Sequence, residues 1–481
     1  MTIPPGPIGA GAPERGAFDR LVLRNFLKLG AGEMLSRLLG FAGTIVIARQ
    51  LGVESYGVIG LGFAVLLYFA AVGDLGMEHL GPREVAGEES PLDRLASTMT
   101  VARFVASAII AALLAAAGLL FVTDPEGPVL ALYGLTIIAM GASTRWVHIG
   151  LGGTGIVGIS RLVMEMLRVG LLLALVHGPG DLFRVPIIHF AGESAATLML
   201  WAVLARRGIR LRFRIDPSLL MAVLRRAYPL LLTNLLALVI YNADIIVLRV
   251  FRDRAEVGLY LAAYTLINFL GVLGNTATLS ILPSLSRLRA APGRGIELMH
   301  RGQAQMLALG LPLAVGGALL ASPILRFVFS AEYTPATTVL QILIVSIPLL
   351  FQRCVLQAVL ISAGRQDRVL AMTAWSAVVT ILVNLMLVPL IGMPGAGIAT
   401  VVAEAVRLAL AQRYSTAEGY TRIPVPWLWR PVLAGAAMAA ALIAAADLSF
   451  LILVPAGALV YAIAFGGTGG FRLFTSPERA S

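Results

Sequence analysis

A single cysteine, Cys354, lies inside an apolar run, so no intramolecular disulfide can staple this chain. Lysine is equally scarce: of 37 basic residues only Lys28 is lysine, and the rest are arginine. Charge of either sign is thin. Charged residues make up 13% of the 481 and hydrophobic ones 58%, whereas a soluble domain is about a quarter charged. Too little polar surface remains to cover a water-facing globule. Catalytic signatures are missing as well: there is no phosphate-binding glycine loop, no HExxH and no CxxC pair. GPGDL at 178–182 reads as a tight turn, and His148, His177 and His189 have no metal-ligand spacing. The expectation is therefore no metal, no cofactor and no enzyme. The alternation of a membrane barrel is absent. No small-residue cleavage site follows the first apolar run, which argues against a signal peptide.

What the sequence does contain is apolar runs of about twenty residues from end to end, each long enough to cross about 30 Å of hydrocarbon. In lipid the backbone must satisfy its own hydrogen bonds, so these runs read as helices. Fourteen spans are expected, at 25–49, 55–74, 96–122, 129–147, 156–177, 185–205, 228–249, 257–283, 303–329, 336–362, 369–391, 394–412, 431–446 and 448–465. The loops between them are too short for a separate soluble catalytic domain.

With the N-terminus in the cytoplasm, most arginines fall in inside loops, and Arg49, Arg184, Arg249, Arg252, Arg254 and Arg326 are the exceptions outside. This one-sided bias accounts for the net charge of +11 without nucleic acid. Both termini are then cytoplasmic. The expected organisation is a disordered N-terminus over 1–21, a first lobe over 22–205, a basic linker over 206–227 and a second lobe over 228–415. Two further helices follow over 416–466, then a tail over 467–481. In the linker, Asp216 followed by Pro217 is a helix start. Leu219, Leu220, Val223 and Leu224 then form an apolar face, which reads as a surface helix or a positive-inside anchor.

A weak repeat supports two halves. VESYGVIGLGFAVLLY at 53–68 echoes RAEVGLYLAAYTLINF at 254–269, with Gly57 over Gly258. FAGESAATLML at 190–200 echoes VVAEAVRLAL at 401–410, with Glu193 over Glu404. Six spans restore the original direction, so the halves are parallel repeats, a plan that places the pathway between them.

Ionisable residues at membrane depth are costly and normally face a cavity or a partner. Arg37, Arg161, Arg168, Arg353 and Arg407 are the candidate cavity residues that bind substrate. Glu33, Glu165, Glu193, Asp244 and Glu404 are the candidate coupling or ion-pair acids. Glu33 and Arg37 share a helix face, as do Arg161, Glu165 and Arg168, and as do Glu404 and Arg407. One glutamate between Arg161 and Arg168 leaves one arginine to face something anionic. Arg103, Arg353 and Glu193 have no partner on their own helix. Asp74, in VGDLGMEHL, reads as a cap for the segment that follows.

These segments resemble the polysaccharide (O-antigen and exopolysaccharide) flippases of the multidrug/oligosaccharidyl-lipid/polysaccharide exporter superfamily. The resemblance rests on LRRAYPLLLTNLLALVIYNADIIVLRVFRDRAEVGLYLAAYTL (224–266), with Pro229, Asp244, Gly258 and Tyr260. RLLGFAGTIVIARQLGVESYG (37–57), DLGMEHLGPREVA (74–86) and VNLMLVPLIGMPGAGIATVVAEAVRL (383–408) carry it further, so that it spans roughly 22–415. It implies an all-α integral membrane fold with two six-helix lobes in a V around a central cavity, plus two C-terminal helices. It also implies a lipid-linked oligosaccharide on an undecaprenyl-pyrophosphate carrier, flipped across the bacterial cytoplasmic membrane by alternating access. Membrane lipids, a polysaccharide polymerase and glycosyltransferases are the implied partners. A lipid II flippase of peptidoglycan synthesis and a cation-coupled multidrug exporter are the alternatives. A membrane glycosyltransferase or polymerase would need larger outside loops.

Overall fold

The computed structural model describes residues 15–87, 91–209, 211–212, 214–288 and 292–474, with side chains from Met34 onward except at Leu279 and Pro292. The described residues form helices with short connections and no strand. The helices are α1 (Arg15–Asp74), α2 (Met77–Ala86), α3 (Leu92–Phe121), α4 (Glu126–Gly141), α5 (Arg145–Gly150) and α6 (Thr154–Leu175). Next come α7 (Arg184–Arg206), α8 (Pro217–Phe251), α9 (Arg254–Arg287), α10 (Pro292–Leu319), α11 (Ala321–Val328) and α12 (Thr337–Ile344). The last are α13 (Ser346–Ser362), α14 (Gln366–Ile391), α15 (Met393–Ala417), α16 (Trp429–Ala444) and α17 (Phe450–Gly467).

Among the described residues eleven helices are long and apolar enough to cross a membrane. The first of these holds two expected spans, because Gly52 breaks it at φ 75° and ψ 175°, a backbone state open to glycine but not to most residues. α6 carries Arg161, Glu165 and Arg168, and α16 has only 16 residues. With these three added, every one of the fourteen expected segments lies on helix. The chain is an all-α, multi-pass membrane protein.

Two expectations need correction. Residues 15–21, expected to be disordered, begin α1; residues 1–14 and 475–481 lie outside the described set. The linker holds no separate surface helix. Asp216 caps as anticipated, its Oδ1 accepting from the Ser218 and Leu219 N–H groups. The helix then runs unbroken through Pro229 into the seventh span. Its early turns are held by protein: Val223 and Ala227 are buried among Met77, Leu80 and Trp146.

α1 packs on α3, α4 and α6, and α4 on α7, forming one helical group. α9 packs on α13, α8 on α14, and α13 and α14 on α15, forming a second. α1 meets α8 and α9 between the groups, and α16 joins through α10. A continuous apolar core crosses the junction, bringing Ile47, Tyr56 and Ile59 against Val257, Tyr260 and Leu261. The arginine-rich end bears the 142–153, 205–217 and 363–366 connections, and the opposite end bears Gly52, 122–126 and 252–254.

Candidate functional site: a central cavity sealed at one end

Between the two groups lies a cavity of about 700 Å³. Both halves of α1 line it, with Tyr133, Arg168 and His189 on one side and α8, α9 and α15 on the other. Its wall is largely apolar, with Arg37, Arg168, His189, Asn242, Asn268 and Glu404 as polar points.

The opposite end is closed by contacts between residues far apart in sequence. Gly57 and Gly258 bring α1 and α9 together: a Cβ on Gly57 would overlap the Arg254 carbonyl oxygen and lie 2.9 Å from the Gly258 N. Tyr56 Oη and Thr265 Oγ1 are 3.1 Å apart. Tyr333 donates to the Ala48 carbonyl at 2.8 Å, and Arg49 Nε to the Val328 carbonyl at 2.7 Å. Glu126, 2% exposed, takes two arginines from the other helical group. Arg249 Nε reaches Oε1 at 2.7 Å, while Arg254 reaches Oε1 at 2.9 Å and Oε2 at 2.7 Å. The sequence reading missed Glu126. Its signal was available: Arg249, Arg252 and Arg254, three exceptions to the arginine bias, crowd one outside loop and require a counter-charge.

The expected arginines divide. Arg37 and Arg168 line the cavity; Arg161, Arg353 and Arg407 do not. Arg168 is held by three acceptors. Its guanidinium pairs with Glu165 at 2.6 Å and donates to His189 Nε2 at 3.3 Å and to the Gly40 carbonyl at 3.3 Å. His189 packs edge-on to Phe63 and Tyr133, so the sequence reading, which set this histidine aside, missed a wall residue of the cavity. Arg161 is half-buried on α6. The Glu33 side chain lies outside the described residues.

On the second group, Glu404 pairs with Arg407 one turn on at 2.5 Å, and with Arg353 of α13 at 2.9 Å. Arg353 also donates to Gln357 Oε1 at 2.6 Å. Sequence left Arg353 without a partner because its acid stands on another helix. Asp244 is 1% exposed; its carboxylate accepts from the Tyr260 hydroxyl and, at 2.9 Å, from the Ile245 N–H.

On the first group, Asp74 does accept from the Glu78 N–H, at 3.2 Å, as a cap would. It also pairs with Arg103 at 2.9 Å. Arg103 reaches Glu78 at 2.9 Å, and Arg145 reaches Glu78 at 2.7 Å. His148 is buried with Nε2 3.0 Å from the Leu200 carbonyl, and the His177 N–H donates to Asp181 at 2.9 Å. Among the described residues no three His, Cys, Asp or Glu side chains are placed to hold a metal ion.

Two helical groups around a central cavity closed at one end define a membrane transporter fold. Solved structures share it. A lipid II flippase, MurJ, in an inward closed conformation superposes with a TM-score of 0.74 at 15% identity, covering 92% of this chain and 98% of that one. A multidrug resistance MATE family transporter of the MOP superfamily in an inward-facing conformation gives 0.62 at 17% identity, over 80% of this chain and 94% of that one. An outward-facing MATE family transporter gives 0.51 at 17% identity, over 82% and 93%. No curated protein matches in sequence. The family is set by a different comparison: the chain belongs to the polysaccharide biosynthesis protein family, whose model matches residues 22–289.

Proposed function

We propose that the chain is a flippase that carries a lipid-linked oligosaccharide across the bacterial cytoplasmic membrane by alternating access. In this reading its cavity is closed to the outside. The observation that carries this reading is the central cavity, sealed at the opposite end by Glu126 with Arg249 and Arg254 and presenting Arg37 and Arg168 within. At about 700 Å³ it is of the size that takes a compact head group, and an undecaprenyl tail has to stay in lipid. Arginine suits the pyrophosphate because its planar fork donates two hydrogen bonds to one phosphate. Glycosyltransferases build such a cargo inside and a polymerase consumes it outside, so both are proposed partners. The arginine-rich end and both termini face the cytoplasm in this reading.

A lipid II flippase is the second reading, favoured by the fold shared with MurJ. Purified protein in vesicles, given a fluorescent undecaprenyl-pyrophosphate oligosaccharide or fluorescent lipid II in the inner leaflet, separates them. Faster exposure of the oligosaccharide to an outside quencher supports the first reading, and exposure of lipid II alone supports the second. No acceleration of either overturns both.

A further inference from the structure

A second polar cavity, of about 220 Å³, lies toward the arginine-rich end of the first helical group. It shares Leu67 and Leu238 with the central cavity, so these two side chains stand between the chambers. Its charged wall holds Asp74 on α1, Glu78 and His79 on α2, Arg103 on α3, Arg145 on α5 and Glu193 on α7. Asn234 of α8 completes it, bringing in the helix that continues to the central cavity wall at Asn242 and Ile245.

The pairing within this chamber is uneven. Arg103 is taken up by Asp74 and Glu78, and Arg145 by Glu78. Among the described residues no ion pair or hydrogen bond reaches the Glu193 carboxylate. Arg145, Glu78, Arg161 and Glu165 act on it through space, the last two from α6. Three carboxylates against two guanidiniums leave one excess negative charge when His79 is neutral, and an uncompensated charge at membrane depth is costly. One proton removes it. Glu404, the matching position in the repeat, is in the reverse situation, with two arginines for one carboxylate.

We propose that Glu193 is a proton-binding site, loaded in this state from water at the arginine-rich end, and that its proton biases the docking of α8 and so the arrangement of the lobes. The proton moves from water to a Glu193 carboxylate oxygen and returns to water after the lobes rearrange. Ionised, Glu193 presents only acceptors to the Asn234 side; protonated, it also presents a donor. The proposal rests on the alternating-access reading given above.

The test uses full-length protein in lipid nanodiscs without cargo. Spin labels are placed at Leu151→Cys and Gln366→Cys, both exposed at the arginine-rich end on different lobes, in a Cys354→Ser background. Distances are measured at about pH 5 and about pH 9. The wild-type background should shift between them. Glu193→Gln should hold the acidic distribution at both, its pH shift falling to zero, while Asp181→Asn on an opposite-end loop keeps the full shift. Should Glu193→Gln not fold, Glu193→Asp keeps the test open: it should retain a shift with a displaced midpoint. A Glu193→Gln protein that follows pH as the background does, a Glu193→Asp protein with an unmoved midpoint, or a background that does not respond, overturns the proposal. Because no cargo is present, failure of the flipping assay leaves this result standing, and the reverse also holds.

Discussion

Gly57 of α1 and Gly258 of α9 meet backbone to backbone at the opposite end, and each lacks the one atom that would keep the other away. A Cβ on Gly258 would overlap the Val53 carbonyl oxygen and lie 3.2 Å from the Gly57 N. The two positions that the internal repeat superposes are thus the two that touch, as expected where an axis relates the halves. The contact closes the cavity, so its tightness governs how long the closed state lasts.

Gly57→Ala should therefore loosen that state. Overpacking costs about 1–3 kcal/mol. The readout is labelling of Asn268→Cys, which lines the central cavity, by a membrane-impermeant maleimide applied from outside. Cys354 is buried and its removal leaves a cysteine-free background. Labelling should rise in Gly57→Ala cells. Unchanged labelling with normal protein levels would show that the helices separate elsewhere.

Glu126→Gln removes the carboxylate that Arg249 and Arg254 share, leaving Arg254 only the more distant Glu54 at 3.7 Å. Hydrogen bonds to charged groups contribute about 1.5–3 kcal/mol each. The closed state should lose population by roughly tenfold or more, since each 1.4 kcal/mol is a factor of ten. The same Asn268→Cys labelling should increase, with Glu126→Asp intermediate. Equal labelling in all three proteins would show that the other contacts at this end hold the seal without Glu126.

Glu404→Gln leaves Arg353 and Arg407 buried with no carboxylate between them. Removing one partner of a buried pair typically costs about 3–5 kcal/mol. Its melting temperature in detergent should fall well below wild type. Glu193→Gln, which breaks no ion pair, should melt close to wild type. The reverse order would exchange the structural and titrating roles assigned to the two glutamates.

Arg168 is fixed at once by Glu165, His189 and the Gly40 carbonyl, so its planar fork is oriented before any cargo arrives. Arg168→Ala should abolish complementation of a flippase deletion. Arg168→Lys should retain part of it, since a lysine keeps the charge but not the fork. Membrane levels are checked by immunoblot. Full complementation by Arg168→Ala would make the residue structural.

The helical nature of the chain was legible in the sequence because apolar length is a local property: an apolar run of about twenty residues without barrel alternation has only the helix open to it in lipid. The Gly57 and Gly258 correspondence and the Glu404 and Arg407 pair were legible for the same reason, being repeat or one-turn relations. The linker misled, because an Asp-Pro start marks where a helix begins and says nothing of how far it runs. Only the tertiary structure decided partners. Arg353 finds Glu404 on another helix, Arg103 finds Asp74 and Glu78, and Glu126 reaches Arg254 across 128 positions. It also decided that Arg37 and Arg168 face the central cavity while Arg353 and Arg407 are spent on Glu404. A buried charge dictates that it must be paired, but which neighbour pairs with it depends on how the helices pack.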